Sequence, residues 1–302
     1  MTINKIDDIY EVLKQRPCKK RLVVSYANDS HSIEAVHQAV KMGIIEATLC
    51  GDEEVIRGVC AQHGYDISLF QLVHEPVDTK AAVLAVKMIR EKKADFIMKG
   101  LVSTDKYMHA ILNKEYGLLP PKAILSHVTL MECVNYHKLL LISDVAVIPV
   151  PDMTQKIAMV KYVTQTANML GIERPKIALI SATEQVLPKV PSSVEAAIIA
   201  KMGERGQLGN IEIDGPYGLD VAIDAEAAAI KRITSPVAGN ADCLIFPSLD
   251  AGNVFYKTNN KLANTRTGAI LVGASAPSVL SSRGDSMETK LNSIALAALL
   301  AR

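Results

Sequence analysis

The chain has 302 residues, 49% of them hydrophobic, with 33 lysines and arginines against 32 aspartates and glutamates. That length is too great for one compact core and predicts two domains of about 150 residues each. The balanced charge provides no broad field for nucleic acid or an anionic membrane, so basic groups must act locally.

The N-terminal segment MTINKIDDIYEVLK reads as an amphipathic helix with Ile6, Ile9, Tyr10 and Leu13 on one side, not as a signal peptide. A short β-branched run, LVVSYA, follows, then the polar turn NDSHS and a helical pattern carrying Ile33, Val36 and Val40 that Gly43 closes. The same unit recurs as ATLCG with EEVIRGVCAQHG, then as LFQLV with TKAAVLAVKMIREKK behind the cap Asp78, and then as DFIMKG. Strands alternating with helices predict an α/β fold with a mostly parallel sheet. Such sheets bind ligands where strand C-terminal ends meet helix N-termini. The turn KGLVSTDKYMHAIL lies at such a place, with Lys99 and Gly100 leaving a strand and Ser103 or Thr104 capping the next helix.

From Ile124 to Pro151 the pattern turns to two extended runs, ILSHVTLMEC and KLLLISDVAVIPV, which predict a hairpin. The long helix QKIAMVKYVTQTANML then opens a second domain with its own strand and helix alternation, closing on AILVGAS. The last helix has no strand after it, so the chain is expected to return to the first domain at its end. This gives a first α/β domain of residues 1–148 plus 276–302 and an inserted domain of residues 149–275. Each is a mostly parallel sheet flanked by helices, with a cleft between the two.

The last helix has apolar residues at Met287, Leu291, Ile294, Ala295, Ala298 and Leu299, the spacing of a buried face. Ser282 is expected to cap it, with Asp285 completing a capping box and Arg283 and Gly284 between them. Backbone N–H groups, a hydroxyl, a guanidinium and a glycine together suit a phosphoryl dianion. In IEIDGPYGLDVAID, Asp214-Gly215-Pro216 reads as a turn, and Asp220 and Asp224 fall four apart, the spacing for two carboxylates on one helix face. In LDAGNVFYKTNNKLA, Gly252 and Asn253 are expected to open a helix that carries Tyr256 and Lys257 towards a ligand. The five cysteines, Cys18, Cys50, Cys60, Cys133 and Cys243, show no metal-ligand spacing and predict reduced thiols. No run approaches the ~18 apolar residues of a membrane span, so a cytoplasmic protein without membrane or nucleic-acid partners is expected. The sequence has no GxSxG elbow, GxxxxGK[ST] loop or GxGxxG run.

Six stretches in this order resemble the phosphate acyltransferases, the phosphate butyryltransferase branch above all: IMKGLVST (97–104), LSHVTL (125–130), SSVEAAIIAKM (192–202), IDGPYGLD (213–220), GNVFYKT (252–258) and the long segment 268–299. The resemblance implies two α/β domains, as in the isocitrate and isopropylmalate dehydrogenases, and dimerisation through the second. It implies transfer of an acyl group between coenzyme A and inorganic phosphate, both as substrates, with no metal, no other cofactor and no covalent acyl-enzyme. The family's serine–arginine pair matches Ser282 and Arg283. Where the acetyl-specific pattern has a basic aspartate the chain has Thr289, which leaves Asp285, with Glu288 beside that position, as carboxylates for the role; Asp285 is preferred. Where related enzymes place an arginine the chain has His109, with Lys106 on the same helical face. Substrate binding is expected to draw on Lys99, Gly100, Ser103, Thr104, His109, Ser126, Asn253, Tyr256 and Lys257. A metal-dependent decarboxylating dehydrogenase using Asp220 and Asp224, or a relative that binds coenzyme A or acyl phosphate without turnover, are the alternatives.

Overall fold

The computed structural model describes residues 3–280 and 284–302. The chain folds into two compact units, one of Ile6–Leu125 with Gly268–Arg302 and one of Ser126–Thr267 with the residues up to Lys5.

The first unit begins with α1 (Ile6–Lys14), whose Ile6, Ile9, Tyr10 and Leu13 are buried as the periodicity predicts. Alternation then gives β1 (Lys20–Ser25), α2 (Ser30–Lys41), β2 (Ile45–Gly51), α3 (Glu53–His63), β3 (Phe70–His74), α4 (Asp78–Arg90), β4 (Phe96–Lys99) and α5 (Thr104–Leu112). Asp29 and Asp52 cap α2 and α3 through their side chains, and Gly64 ends α3 in the left-handed conformation at φ 69°. Asp78 is the first helical residue of α4 rather than its cap, since Val77 holds the cap position. The strand order is β3-β2-β1-β4, so the chain moves to one side of β1 and returns on the other. These pairs are all parallel. Strand β4 is buried at every position, the continuous burial that a sheet covered on both faces demands.

The chain's return adds β10 (Arg266–Val272), which begins at the seam, β11 (Ser278–Val279) and α11 (Met287–Leu300) to this unit. Strand β11 pairs parallel with β4 and antiparallel with β10. Helix α11 packs against α1 and α2 and is buried from Thr289 to Leu299. Its polar residues are correspondingly bonded: the Tyr10 hydroxyl donates to Asn292 Oδ1, and Ser293 Oγ accepts from Ala269 N at 2.9 Å while donating to the Thr289 carbonyl at 2.7 Å. At its far end the Arg16 guanidinium donates to the Ala298 and Leu299 carbonyls at 2.9 and 3.1 Å, satisfying groups that a helix C-terminus leaves open. A side chain at Gly268 would meet the Asn292 backbone at 2.9 Å, so the helix lies directly on the strand there.

The second unit contains β5 (Ser126–Glu132), β6 (Leu140–Ser143), α6 (Met153–Met169), β7 (Lys176–Ile180), α7 (Pro191–Glu204), β8 (Glu212–Tyr217), α8 (Leu219–Ile223), α9 (Ala225–Ile230), β9 (Cys243–Ile245) and α10 (Leu249–Leu262). Its order is β5-β6-β9-β7-β8, parallel except for the β5–β6 hairpin. Because β6 bonds to β9, the hairpin belongs to this sheet and the fold divides at 125/126 and 267/268; the sequence pattern alone places the seams at 148/149 and 275/276. Asp214-Gly215-Pro216 is not a turn: β8 runs through it with a cis Gly215–Pro216 peptide, and the pairing with β7 shifts register beside it. Among the described residues no helix is long and apolar enough to cross a membrane.

Candidate active site

In the first unit the C-terminal ends of β1 and β4 are adjacent at the point where strand order reverses, the position at which open α/β sheets take ligands. Gly100 N donates to the Ser25 carbonyl at 2.9 Å and Leu101 N to the Tyr26 carbonyl at 2.8 Å. A Cβ on Gly100 would lie 2.4 Å from the Tyr26 carbonyl oxygen, so only glycine lets the two loops approach this closely. Lys99 is buried, and its ammonium donates to the Gly100 and Val102 carbonyls at 3.1 and 3.0 Å, which braces the loop from within. Ser103 caps α5, its Oγ accepting from Lys106 N, and Thr104 opens the helix exposed. His109 is exposed on the same helix. Lys106 does not stand ready as a substitute cation there, because it is paired with Asp78 at 2.7 Å, and its hydrogen bond holds that carboxyl below the usual range.

The entrance to α11 differs from the expected capping box. Ser286 is the cap: its Oγ accepts from Thr289 N at 3.1 Å and donates to Thr289 Oγ1 at 3.1 Å. Helical geometry begins only where apolar periodicity begins, at Met287, so Asp285 stands before the cap and outside the helix. Ser282 and Arg283 lie outside the described residues. Thr289 is buried on the first turn, and Glu288 is exposed.

In the second unit Ser126 and Asn253 converge on one loop, Asp144 to Val147. Ser126 Oγ donates to Asp144 Oδ2 at 2.8 Å, and His127 N donates to the same oxygen at 3.0 Å. Asp144 Oδ1 accepts from Ala146 N at 2.7 Å and Val147 N at 2.8 Å. Asn253 Nδ2 donates to the Val145 carbonyl at 2.9 Å. Gly252 and Asn253 do not open α10, which starts at Leu249 behind the cap Ser248; Gly252 lies inside it because a Cβ there would sit 2.3 Å from the Asp144 carbonyl oxygen. Tyr256 is half-buried and Lys257 exposed on the same helix. Asp144 organises this cluster and was invisible as a site residue in sequence. Its signal is the polar pair Ser143-Asp144 ending an otherwise apolar run.

Asp220 and Asp224 do not share a helix face. Asp220 lies in the first turn of α8 and pairs with Lys231 at 2.9 Å, which holds its carboxyl below the usual range. Asp224 ends α8 and caps α9, its side chain accepting from Glu226 N and Ala227 N. Lys231 also holds Glu184 at 2.9 Å, so the group is an ion network between loops. Among the described residues no group of three or more histidines, cysteines or acids is arranged to hold a metal.

Glycine, hydroxyl and amine groups at strand C-terminal ends, and capped helix N-termini beside them, define the class as an α/β ligand-binding protein. The family model described as phosphate acetyl/butaryl transferase matches residues 66–298. The chain is 44% identical over 299 residues to the phosphate butyryltransferase of Clostridium acetobutylicum, covering 99% of each. It is 40% identical to the phosphate acetyltransferase of Thermotoga maritima, over 93% of this chain and 95% of that one. The solved structure of a branched-chain phosphotransacylase from Enterococcus faecalis V583 superimposes with a TM-score of 0.81 at 29% identity, covering 93% of this chain and 98% of that one. The chain belongs to the phosphate acetyl/butaryl transferase family.

Proposed function

We propose that the protein transfers a short-chain acyl group, butyryl in preference to acetyl, between coenzyme A and inorganic phosphate by direct transfer in a ternary complex. The observation that carries this reading is the alignment with a phosphate butyryltransferase along nearly the whole of both chains. A phosphate oxygen attacks the thioester carbonyl carbon, a tetrahedral oxyanion forms, and the carbon–sulfur bond breaks to leave acyl phosphate and the thiolate. The proton that phosphate gives up ends on the thiol. Coenzyme A and phosphate enter as substrates, and the scheme uses no resident metal or cofactor.

In this reading Arg283 holds phosphate through two parallel N–H donors, and Ser282 donates to the developing oxyanion, a contribution of about 3 kcal/mol for one such donor. Asp285 carries the proton between phosphate and thiol. Gly100, Ser103, Thr104 and His109 act on phosphate, and Lys99, buried, braces their loop. Asn253, Tyr256 and Lys257 act on coenzyme A, and Ser126, buried against Asp144, holds the loop beneath Asn253. The reading is supported by the Gly100 approach, which brings backbone groups to the β1–β4 strand ends, and by the capped N-termini of α5 and α11. Helices of the second unit form the surface through which two copies pair, in the cytoplasm. A decarboxylating dehydrogenase is disfavoured because Asp220 and Asp224 are spent on Lys231 and on a helix cap.

The test is release of free thiol from acetyl-, propionyl-, butyryl- and isobutyryl-coenzyme A with and without phosphate. The expected result is phosphate-dependent release, fastest with butyryl, that Arg283→Ala abolishes. Folded protein that releases no thiol from any of the four refutes the reading, and tight coenzyme A binding without release would mark a non-catalytic relative.

A further inference from the structure

The second unit's sheet reverses its connections between β6 and β9. From β6 the chain crosses by way of α6 to β7, on the far side of β9. From β9 it turns into α10, which lies back over the end of β6: Gly252 lies against the Asp144 carbonyl, and Asn253 Nδ2 donates to the Val145 carbonyl at 2.9 Å. Adjacent strands whose connections leave in opposite directions open a crevice beyond their C-terminal ends, where α/β sheets take ligands. Asp144 stands there as the residue after β6, and it is 1% exposed.

The two carboxylate oxygens of Asp144 have separate partners. Oδ2 accepts from Ser126 Oγ and His127 N on the neighbouring strand β5, which ties the loop to the sheet. Oδ1 accepts from Ala146 N and Val147 N, two and three residues on, which closes the loop into a turn and fixes Val145 within it. The Val145 carbonyl then decides how the Asn253 amide sits. Only the amide nitrogen can donate to a carbonyl oxygen, so the amide oxygen is left on the opposite side as an acceptor. An acceptor held in one orientation recognises an N–H or O–H group, whereas ionised phosphoryl oxygens are acceptors themselves.

We propose that Asp144 is a positioning residue for coenzyme A binding: by closing the turn at 144–147 it sets the Val145 carbonyl, and through it turns the Asn253 amide oxygen towards an N–H or O–H donor of the coenzyme. The ligand's identity rests on the acyl-transfer reading; the turn and the amide do not. Asp144 itself touches no substrate, and its effect on binding passes through Asn253.

The experiment measures calorimetric binding of coenzyme A to the full chain, to Asn253→Ala, Asp144→Ala and Asp144→Ser, and to Asp144→Ala combined with Asn253→Ala, each below its unfolding temperature, with thermal unfolding of every protein. Asn253→Ala should bind coenzyme A about 3- to 10-fold more weakly, the range of one neutral hydrogen bond. Asp144→Ala leaves the turn unclosed and should lose as much, and the double variant should lose no more than either alone. A serine hydroxyl accepts from N–H groups two and three residues on, more weakly than a carboxylate, but cannot hold the His127 N–H as well. Asp144→Ser should therefore lose only about 2- to 3-fold while unfolding near the temperature of Asp144→Ala, a partial rescue of affinity without rescue of stability that a merely structural residue would not show. Unchanged affinity in Asn253→Ala or in folded Asp144→Ala overturns the proposal, as do losses that add in the double variant and a serine variant no tighter than the alanine one. Should Asp144→Ala not fold, Asp144→Ser binding as tightly as wild type overturns it. Wild-type protein that binds no coenzyme A overturns it together with the acyl-transfer reading, whereas wild-type protein that binds it but releases no thiol refutes that reading alone.

Discussion

Replacing Asp144 by asparagine tests whether the candidate site in the second unit depends on one carboxylate. The residue is 1% exposed and accepts four hydrogen bonds, two at each oxygen. Asparagine retains one carbonyl oxygen, so one pair of donors must face an amide N–H₂ group. If the amide nitrogen turns towards Ala146 and Val147, two buried N–H groups lose their acceptor, each at about 1–3 kcal/mol. If it turns towards Ser126, that hydroxyl can swing to Ser143 Oγ, 3.3 Å away, and only the His127 N–H is left orphaned beside a second donor. The second arrangement is cheaper, and with the weakened charge-assisted bonds it costs about 3 kcal/mol. Equilibrium urea unfolding of Asp144→Asn should show that loss with an unchanged m-value, meaning a lower midpoint for the same exposed surface. A loss below about 1 kcal/mol would refute the argument that this carboxylate holds the loop.

Ser286→Ala removes the side-chain cap of α11 and should lower stability by about 1 kcal/mol in the same assay, whereas no loss would place the cap elsewhere. Gly252→Ala forces a Cβ against the Asp144 carbonyl oxygen at 2.3 Å, and the required backbone shift should cost about 1–3 kcal/mol, to be read by thermal unfolding. Burial pushes the Asp95 carboxyl up, but donors from the Arg21 guanidinium and N–H outweigh it and hold the group below the usual range. Its contribution, about 1 kcal/mol given that Arg21 is 41% exposed, is present above pH ~4 and lost as pH falls through the lowered folded value. Asp95→Asn should therefore be less stable than wild type near neutral pH, with the difference shrinking in acid titrations of unfolding.

The alternation of elements was legible because short-range chemistry is enough to specify it. Ile6, Ile9, Tyr10 and Leu13 share a helical face at any location in a fold, and Ser103 caps a helix through the N–H groups next to it. The same reasoning misplaced the start of α11. Both Ser282 and Ser286 precede an acidic or polar residue at capping distance, and the cap is Ser286, directly before the first helical residue Met287 and three before Thr289, where burial begins. It also read Asp214-Gly215-Pro216 as a turn, although pairing with β7 keeps that segment extended. The second-unit cluster was half legible: Ser126 and Asn253 stand in the motifs that carry the resemblance, while Asp144, which ties Ser126 and the loop under Asn253 together, does not.

By itself the sequence determined the α/β class, the order of elements, the motifs at 97–104 and 268–299 and, through them, the family. These depend on periodicity, capping and residue identity, all of which act within a few residues along the chain. Only the tertiary structure decided that the β5–β6 hairpin joins the second unit's sheet, that Lys106 and Asp220 are already paired, and that Asp144 gathers four donors. Those outcomes depend on hydrogen bonds and charges between residues far apart in sequence, whose distances are set only when helices and strands pack. A charged side chain reads the same in sequence whether its neighbour in space is a carboxylate, water or an empty acceptor site, and its chemistry differs in each.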